Sequence, residues 1–149
     1  MRKLPNKTVK DIMSKDCVTV TLLDNVFEIA LKMKQHDIGF VAVLDGKQFI
    51  GGVTDRDLVV RGYAEKHSGS TAVETVMTKN MITVDPQTSV DEAAKIMAQH
   101  QIRRLPVVEQ GELIGIVAIG DLAVRGSFED EAGEALSRIS QERTLVGSH

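Results

Sequence analysis

The sequence is poor in the residues that cross-link chains or stack on nucleic acids. It has one cysteine, Cys17, and no tryptophan, and aromatic residues make up 3% of its 149 positions. A single cysteine excludes an intrachain disulfide, and scarce aromatics remove the platforms on which single-stranded nucleic acid stacks. The net charge of −3 gives no electrostatic attraction for nucleic acid or an anionic membrane. We therefore expect neither a nucleic-acid partner nor a membrane partner.

Long apolar runs are missing as well. No stretch approaches the ~20 apolar residues of a membrane span, and no apolar segment follows the first basic residues. We expect a cytoplasmic protein without a signal peptide. Hydrophobic residues nevertheless make up 42% of the chain, enough for an aliphatic core of Val, Ile, Leu, Ala and Met. The length fits one domain, or two half-domains that share a core.

The dominant feature that is present is an internal repeat. Residues 9–62 and 73–126 align without a gap, at the offset that separates Val9 from Val73. Identical pairs run through both copies, among them Met13 and Met77, Glu28 and Glu92, His36 and His100, Gly51 and Gly115, and Asp57 and Asp121. An ungapped repeat this long indicates one supersecondary unit used twice. We expect a pseudo-symmetric pair of units with a cleft between them.

Each copy predicts the same order of elements: a helical turn, a short strand, a helix, two strands joined by a tight turn, and a last helix. In the first copy Val26, Ile29, Ala30 and Met33 follow helical spacing, and the second copy repeats that spacing from Val90. The predicted strands are 18–20, 40–44 and 49–53 in copy one, and 82–84, 105–108 and 113–118 in copy two. The class is therefore α+β, with a small three-stranded sheet per copy.

The repeat also sets the predicted domain boundaries. The first motif spans 8–64, a linker 65–72, the second motif 73–127 and an acidic helix or tail 128–149. A weak amphipathic pattern in the tail predicts a terminal helix docked on the second copy, with a partner-binding segment as the alternative.

Two segments carry a family resemblance. Gly51-Gly52-Val53-Thr54-Asp55-Arg56-Asp57 lies at the last strand-to-helix junction of copy one, and the segment His100 to Val107 lies in copy two. A tandem β-α-β-β-α unit with these segments resembles the cystathionine-β-synthase (CBS) domain, and its arrangement is similar to stand-alone bacterial CBS-pair proteins. The resemblance implies two CBS motifs packed through their small sheets into one module. It also implies an adenosine-containing ligand in the cleft, and a homodimer.

The junction in copy one has the chemistry of a nucleotide site. A helix N-terminus has unpaired N–H groups and a partial positive charge that attract phosphate. The Thr54 hydroxyl can donate to a phosphate oxygen, and Asp57 can accept hydrogen bonds from both ribose hydroxyls. Gly51 and Gly52 would let the backbone approach a ligand closely. The same Thr-x-x-Asp spacing also forms a helix capping box. These residues alone therefore do not decide between a ligand site and a helix cap.

The two copies differ at the positions that would hold phosphate. Copy two keeps Asp121 but has Ala118 in place of the threonine, and it has Arg103 and Arg104 where copy one has no basic residue. In the family, a basic residue at the position of Arg104 reaches the phosphate held at the other copy's site. The resemblance thus implies one competent site, with Thr54, Asp57, Arg104 and additionally Arg103, and a degenerate second site at Asp121.

The resemblance places the adenine against two strand starts of copy one, held largely by backbone groups. The residues expected there are Cys17, Val18 and Thr19 on the first strand, and Ile38, Gly39 and Val41 on the second.

The expected function is a regulatory module that senses adenine nucleotides and signals to an unidentified protein partner by conformational or oligomeric change. AMP, ADP and ATP rank ahead of NAD and S-adenosylmethionine. The alternative is a ligand-free dimerisation or interaction scaffold. The sequence has no phosphate-binding Gly-Lys-Ser/Thr loop, no zinc-ligand set and no triad, so we expect no enzyme, no cofactor and no metal.

Overall fold

The computed structural model describes residues 7–125, and the predicted acidic segment 128–149 lies outside this range. Eleven elements follow one another: α1 Val9–Ile12, β1 Thr19–Thr21, α2 Val26–His36, β2 Phe40–Asp45, β3 Gln48–Thr54, α3 Asp55–Asp57, α4 Val73–Val76, α5 Val90–His100, β4 Arg104–Glu109, β5 Glu112–Ala118 and α6 Ile119–Arg125. The helical chain continues beyond α3 as a π-helix, Leu58–Gly62, and a 3-10 turn, Tyr63–Glu65. Mixed helices and short strands in this order confirm the α+β class.

The two long helices begin in the same way because the same kind of cap starts each of them. At α2 the Asn25 side chain accepts from Glu28 N at 2.9 Å, and the Glu28 carboxylate accepts from Asn25 N at 3.0 Å. At α5 the Ser89 hydroxyl accepts from Glu92 N at 3.0 Å. These caps satisfy N–H groups that the helices cannot pair internally. The helices consequently start at equivalent positions of the repeat.

The strands of the first copy form the predicted three-stranded arrangement. β1 lies parallel to β2, with Thr19 opposite Ala42, and β2 lies antiparallel to β3. The turn between β2 and β3 contains Gly46 at a φ of 62°, a left-handed conformation that glycine adopts without steric cost.

The second copy lacks the predicted strand at 82–84. Only a single parallel bridge forms there, in which Val84 N donates to Pro106 O at 3.0 Å. In copy one, Ala42 N also donates to Val18 O at 3.2 Å. Pro106 occupies the position equivalent to Ala42 and has no N–H, so the corresponding bond cannot form. The strand prediction was therefore wrong here, and the pairing is reduced to one bridge.

The described chain separates into two compact units that do not follow the sequence copies. The first-copy unit comprises residues 16–81 and 110–113, and the second-copy unit comprises 7–15, 82–109 and 114–125. Helix α1 opens copy one but packs in the second-copy unit, where Val9 N donates to Thr88 O at 2.8 Å. Helix α4 opens copy two but packs in the first-copy unit, where Val73 N donates to Asp24 O at 3.3 Å. The predicted motif boundaries thus describe the repeat in the sequence, and each compact unit takes its short helix from the other copy.

Each unit has its own aliphatic core. The core of the first-copy unit consists of Val20, Ile29, Met33, Val41, Val43, Val53, Val73, Val76 and Met77. The core of the second-copy unit consists of Val9, Ile12, Met13, Val84, Val90, Ala93, Ala94, Met97, Leu105, Val107, Val117, Ile119 and Leu122. Ile29 and Met33 are buried as their helical spacing predicts, whereas Ala30, predicted on the same face, is exposed.

Candidate ligand site

The turn from Thr54 to Asp57 is closed by two reciprocal hydrogen bonds. Thr54 Oγ1 accepts from Asp57 N at 3.0 Å, and Asp57 Oδ2 accepts from Thr54 N at 2.9 Å. This is the capping box that the spacing allowed as an alternative to a ligand site. The box uses Thr54 Oγ1 as an acceptor, which leaves the hydroxyl proton for a further acceptor such as a phosphate oxygen. Capping and ligand binding are therefore compatible at Thr54.

The Asp57 carboxylate is oriented by groups on two other segments. Thr78 Oγ1 donates to Asp57 Oδ2 at 3.4 Å, and Arg61 Nε lies 3.8 Å from Asp57 Oδ1. The guanidinium is itself fixed, since Arg61 Nη1 donates to Met77 O at 2.8 Å. The Asp57 side chain is 14% exposed and that of Arg61 is 48% exposed. Because an ionised carboxylate offers about four lone-pair sites, Asp57 retains capacity for a ribose diol.

Sequence reasoning missed both of these partners of Asp57. Arg61 stands four residues after Asp57, and acid-to-base pairs at that spacing meet on one helix face. The four-residue spacing of Asp57 and Arg61 could therefore have predicted this ion pair from the sequence. Thr78 lies 21 positions away in the chain, and only the tertiary fold brings its hydroxyl to the carboxylate.

The two glycines before this turn make room for the chain itself. A Cβ on Gly51 would collide with the Thr78 carbonyl and with Met77, and a Cβ on Gly52 would collide with the Phe40 ring. Gly52 and Thr78 also exchange backbone hydrogen bonds, of 3.0 Å from Gly52 N and 2.8 Å from Thr78 N. The expectation that these glycines let the backbone approach a ligand stays a prediction. Their small size is needed by the protein's own packing.

The residues predicted to hold adenine all belong to the first-copy unit. Cys17, Val18, Thr19, Ile38 and Gly39 are partly exposed, whereas the Val41 side chain is fully buried in the core. Some of their carbonyls are already used within the backbone. Val18 O accepts from Ala42 N at 3.2 Å, and Gly39 O accepts from Asp55 N at 3.0 Å. Val41 can therefore contribute to a ligand site through its backbone alone.

Lys32 places a positive charge beside β1. Its Nζ donates to Thr19 O at 2.7 Å from a partly buried position on α2. The equivalent residue in copy two is Ile96, so this cation belongs to the first copy alone. Comparison of the copies, which singled out Arg103 and Arg104, would also have identified Lys32.

The Cys17 thiol lies in a partly buried position just before β1. Burial raises the pKa of this thiol, and the neighbouring Asp16 carboxylate raises it further. Both effects disfavour the thiolate, which is the reactive form. The raised pKa therefore gives no support to a role for Cys17 as a nucleophile.

The remaining predicted residues lie in the second-copy unit. Arg103 and Arg104 are partly buried at the start of β4, and each of them makes interactions within the structure. Asp121 Oδ2 accepts from Ala118 N at 3.2 Å. Ala118 has no hydroxyl to return that bond, so this turn has only half of the capping box found at Thr54. The roles assigned to Arg103 and Arg104 toward a phosphate stay predictions.

Neither a metal-binding cluster nor a membrane-spanning helix is found among the described residues. Between residues 7 and 125, no three His, Cys, Asp or Glu side chains come together in a way that could hold a metal ion. None of the helices described there combines the length and apolarity needed to cross a bilayer.

The fold and the repeated junction define a tandem module, and comparison with known proteins identifies its family. The family model of the CBS domain matches residues 9–62 and 73–125. The chain therefore belongs to the CBS-domain family and carries two CBS domains in tandem. CBS pairs are regulatory ligand-binding modules.

Relatives of similar length support this assignment. The chain is 44% identical to the uncharacterized protein YlbB of Bacillus subtilis, over 89% of this chain and 91% of that protein. It is 42% identical to the CBS domain-containing protein YhcV of the same organism, over 91% and 96% of the two chains. Among solved structures, it is similar to the CBS domain pair of protein MJ0100 in complex with 5′-methylthioadenosine and S-adenosyl-L-methionine. That match has a TM-score of 0.71 and 29% identity, over 80% of this chain and 94% of the other.

Proposed function

We propose that this CBS pair is a regulatory module that binds an adenosine-containing ligand at the Thr54–Asp57 turn, with adenine nucleotides as the preferred class. The observation that carries the proposal is the Asp57 carboxylate, which is 14% exposed and held in place by Thr78 and Arg61. A carboxylate fixed in this way is suited to accept from the two hydroxyls of a ribose.

Support for the adenosine class comes from the relative solved with 5′-methylthioadenosine and S-adenosyl-L-methionine. Both of those molecules contain a ribose with a vicinal diol, the group that Asp57 would recognise here. Support for a phosphate comes from the hydroxyl proton of Thr54 and from the half-exposed guanidinium of Arg61 nearby. These groups favour AMP, ADP or ATP over a ligand without phosphate.

The contribution of Arg104 is a separate part of the proposal. We expect Arg104→Ala to weaken the binding of AMP about tenfold or more while leaving the binding of adenosine unchanged, since only AMP offers a phosphate. Calorimetric titration of both compounds measures the difference. Equal affinities of wild type and variant for AMP would remove Arg104 from the site.

The first test is the melting temperature of the full chain with AMP, ADP, ATP, NAD, S-adenosylmethionine or no addition. A ligand at ~100 times its dissociation constant adds about 2.7 kcal/mol to the free energy of unfolding, which raises the melting temperature by roughly 5–10 °C. A selective shift with one nucleotide supports the proposal and identifies the ligand class.

A ligand-free interaction scaffold is the second candidate function, and one observation favours it. The capping box at Thr54 is complete without a ligand, and the protein's own segments fill the space beside Gly51 and Gly52. The absence of a shift with every compound would favour this scaffold.

In either case we propose a non-enzymatic cytoplasmic homodimer that signals to another protein. Six large apolar side chains exposed on the first-copy unit support self-association.

A further inference from the structure

Strand β1 is an edge strand whose outer side is closed by two side chains of its own unit. β2 lies on one side of β1, and no strand of the described chain lies on the other. Val18 O accepts from Ala42 N of β2 at 3.2 Å. Because the backbone groups of successive residues point to opposite sides of a strand, those of Thr19 and Thr21 point to the free edge.

A lysine and an aspartate occupy this free edge. Lys32 Nζ, from a partly buried position on α2, donates to Thr19 O at 2.7 Å. Thr21 N donates to Asp24 Oδ2 at 2.7 Å, and Asp24 N donates to Thr21 O at 3.0 Å. The bond from Lys32 joins residues 13 positions apart in the chain. It therefore fixes β1 to the helix, whereas the bonds of Asp24 close a local turn.

The position of the Lys32 side chain has a free-energy cost. A partly buried ammonium loses part of its hydration, and a long side chain held in one place loses rotamer freedom. Lys34, two residues later on the same helix, is exposed and has neither cost. The hydrogen bond to Thr19 O offsets the cost at Lys32, because a bond from a charged donor is stronger than one between neutral groups.

The second copy has neither this lysine nor a regular first strand. Ile96 occupies the position of Lys32 and offers no donor to a free edge. The segment 82–84, which is equivalent to β1, forms a single bridge to β4, because Pro106 lacks the N–H of its counterpart. The lysine thus occurs in the copy that combines a regular first strand with the complete capping box at Thr54.

We propose that Lys32 is a positioning residue for the adenine end of the ligand site, an inference that rests on the proposed function. The residues expected to hold adenine on this strand are Cys17, Val18 and Thr19, largely through backbone groups. A strand that is already ordered loses less conformational entropy when a ligand binds to it. Lys32 supplies this order through Thr19 O and does not itself contact the ligand.

Titration calorimetry of adenosine and AMP into Lys32→Met tests the ligand half of the inference. Methionine keeps most of the aliphatic length and removes the donor. We expect both affinities to fall by the same factor, about five- to tenfold, since both ligands contain adenine. Lys32→Arg keeps a donor and should restore affinity at least in part. The matched control Lys34→Met removes an exposed charge from the same helix and should bind both ligands as wild type does.

Two results of this titration would overturn the proposal. A loss of affinity for AMP alone would place Lys32 at the phosphate instead of the adenine. Unchanged affinities for both ligands in Lys32→Met would leave the lysine a structural role alone. Circular dichroism of each variant shows whether a loss of affinity is a loss of fold.

Amide hydrogen exchange of the protein without ligand tests the strand half. The reporter is the Ala42 N–H, which donates to Val18 O of the first strand. Its exchange should be about five- to tenfold faster in Lys32→Met than in wild type, and unchanged in Lys34→Met. Equal exchange in Lys32→Met and wild type would overturn the proposal. If wild type binds neither adenosine nor AMP, the proposed function fails and the ligand half fails with it, whereas faster exchange of Ala42 would still show that Lys32 fixes β1.

Discussion

At the scale of single residues, Asp57 combines a structural and a proposed ligand-binding role. One of its oxygens caps the turn through Thr54 N and accepts from Thr78, and the other lies near Arg61. The spacing of Thr54 and Asp57 predicted a cap from the sequence, and the family resemblance added the ligand site, which stays a prediction. Thr78 was not predictable in this way, because no local pattern links it to a carboxylate 21 residues distant.

Thr78 provides a test of whether the orientation of Asp57 matters for ligand binding. Thr78→Val removes the hydroxyl donor at nearly constant volume, so we expect AMP affinity to fall several-fold and stability to fall by about 1 kcal/mol. Thr78→Ser is the matched control, since it keeps the hydroxyl that Ser14 also provides in the other copy. Titration calorimetry and urea unfolding measure the two effects. If Thr78→Val loses stability but binds AMP as wild type does, Thr78 has a structural role alone.

The raised pKa of the Cys17 thiol predicts how thiol alkylation and the free energy of unfolding depend on pH. Its thiol pKa is raised, first by burial and then by Asp16, so the folded protein holds the thiol proton at pH values where an unfolded chain has begun to release it. The alkylation rate with iodoacetamide should therefore reach its midpoint at higher pH in the native protein than in urea. By the same linkage, the free energy of unfolding should decrease as pH rises from the ordinary thiol pKa through the raised one. Coincident midpoints in the native and unfolded protein would contradict this account.

At the scale of elements, the repeat pattern predicted the long helices and the hairpins well, because their signals are local. Helical apolar spacing, caps at Asn25 and Ser89, and the Asp45-Gly46 turn all act within a few residues. The strand prediction for residues 82–84 was wrong because a strand needs a partner strand. Its β-branched residues favour a strand, but the donor it requires is missing at Pro106.

Substitutions at two glycines, one of them beside the candidate site, test the packing described there. Gly52→Ala would place a methyl group against the Phe40 ring and Met81, so we expect a loss of about 1–3 kcal/mol. Gly120→Ala, near the start of α6, has nothing within 4 Å and should be neutral or stabilising by up to ~1 kcal/mol. Urea unfolding of both variants measures the difference. Equal stabilities would show that the space beside Gly52 is not filled as described.

At the scale of the whole chain, the duplicated sequence predicted two similar units and the CBS assignment. It did not predict that α1 and α4 each pack in the unit formed mainly by the other copy. That exchange depends on contacts between segments that are distant in the sequence, such as the hydrogen bond from Val9 N to Thr88 O. The repeat has the same order of elements in both copies, so it does not indicate which unit each short helix joins. The difference between the copies at Thr54 and Ala118 was in contrast visible in the sequence, and the structure shows its consequence as a full and a half capping box.

We propose that Asp57, one of two equivalent aspartates, binds the ribose of an adenosine ligand. Titration calorimetry of AMP into wild type, Asp57→Asn and Asp121→Asn tests it most directly. The asparagine oxygen can still accept from the turn N–H, so each fold should survive while the charged acceptor is lost. We expect a loss of affinity of at least about tenfold for Asp57→Asn and wild-type affinity for Asp121→Asn. Wild-type affinity in Asp57→Asn, or loss of binding in Asp121→Asn alone, would contradict it.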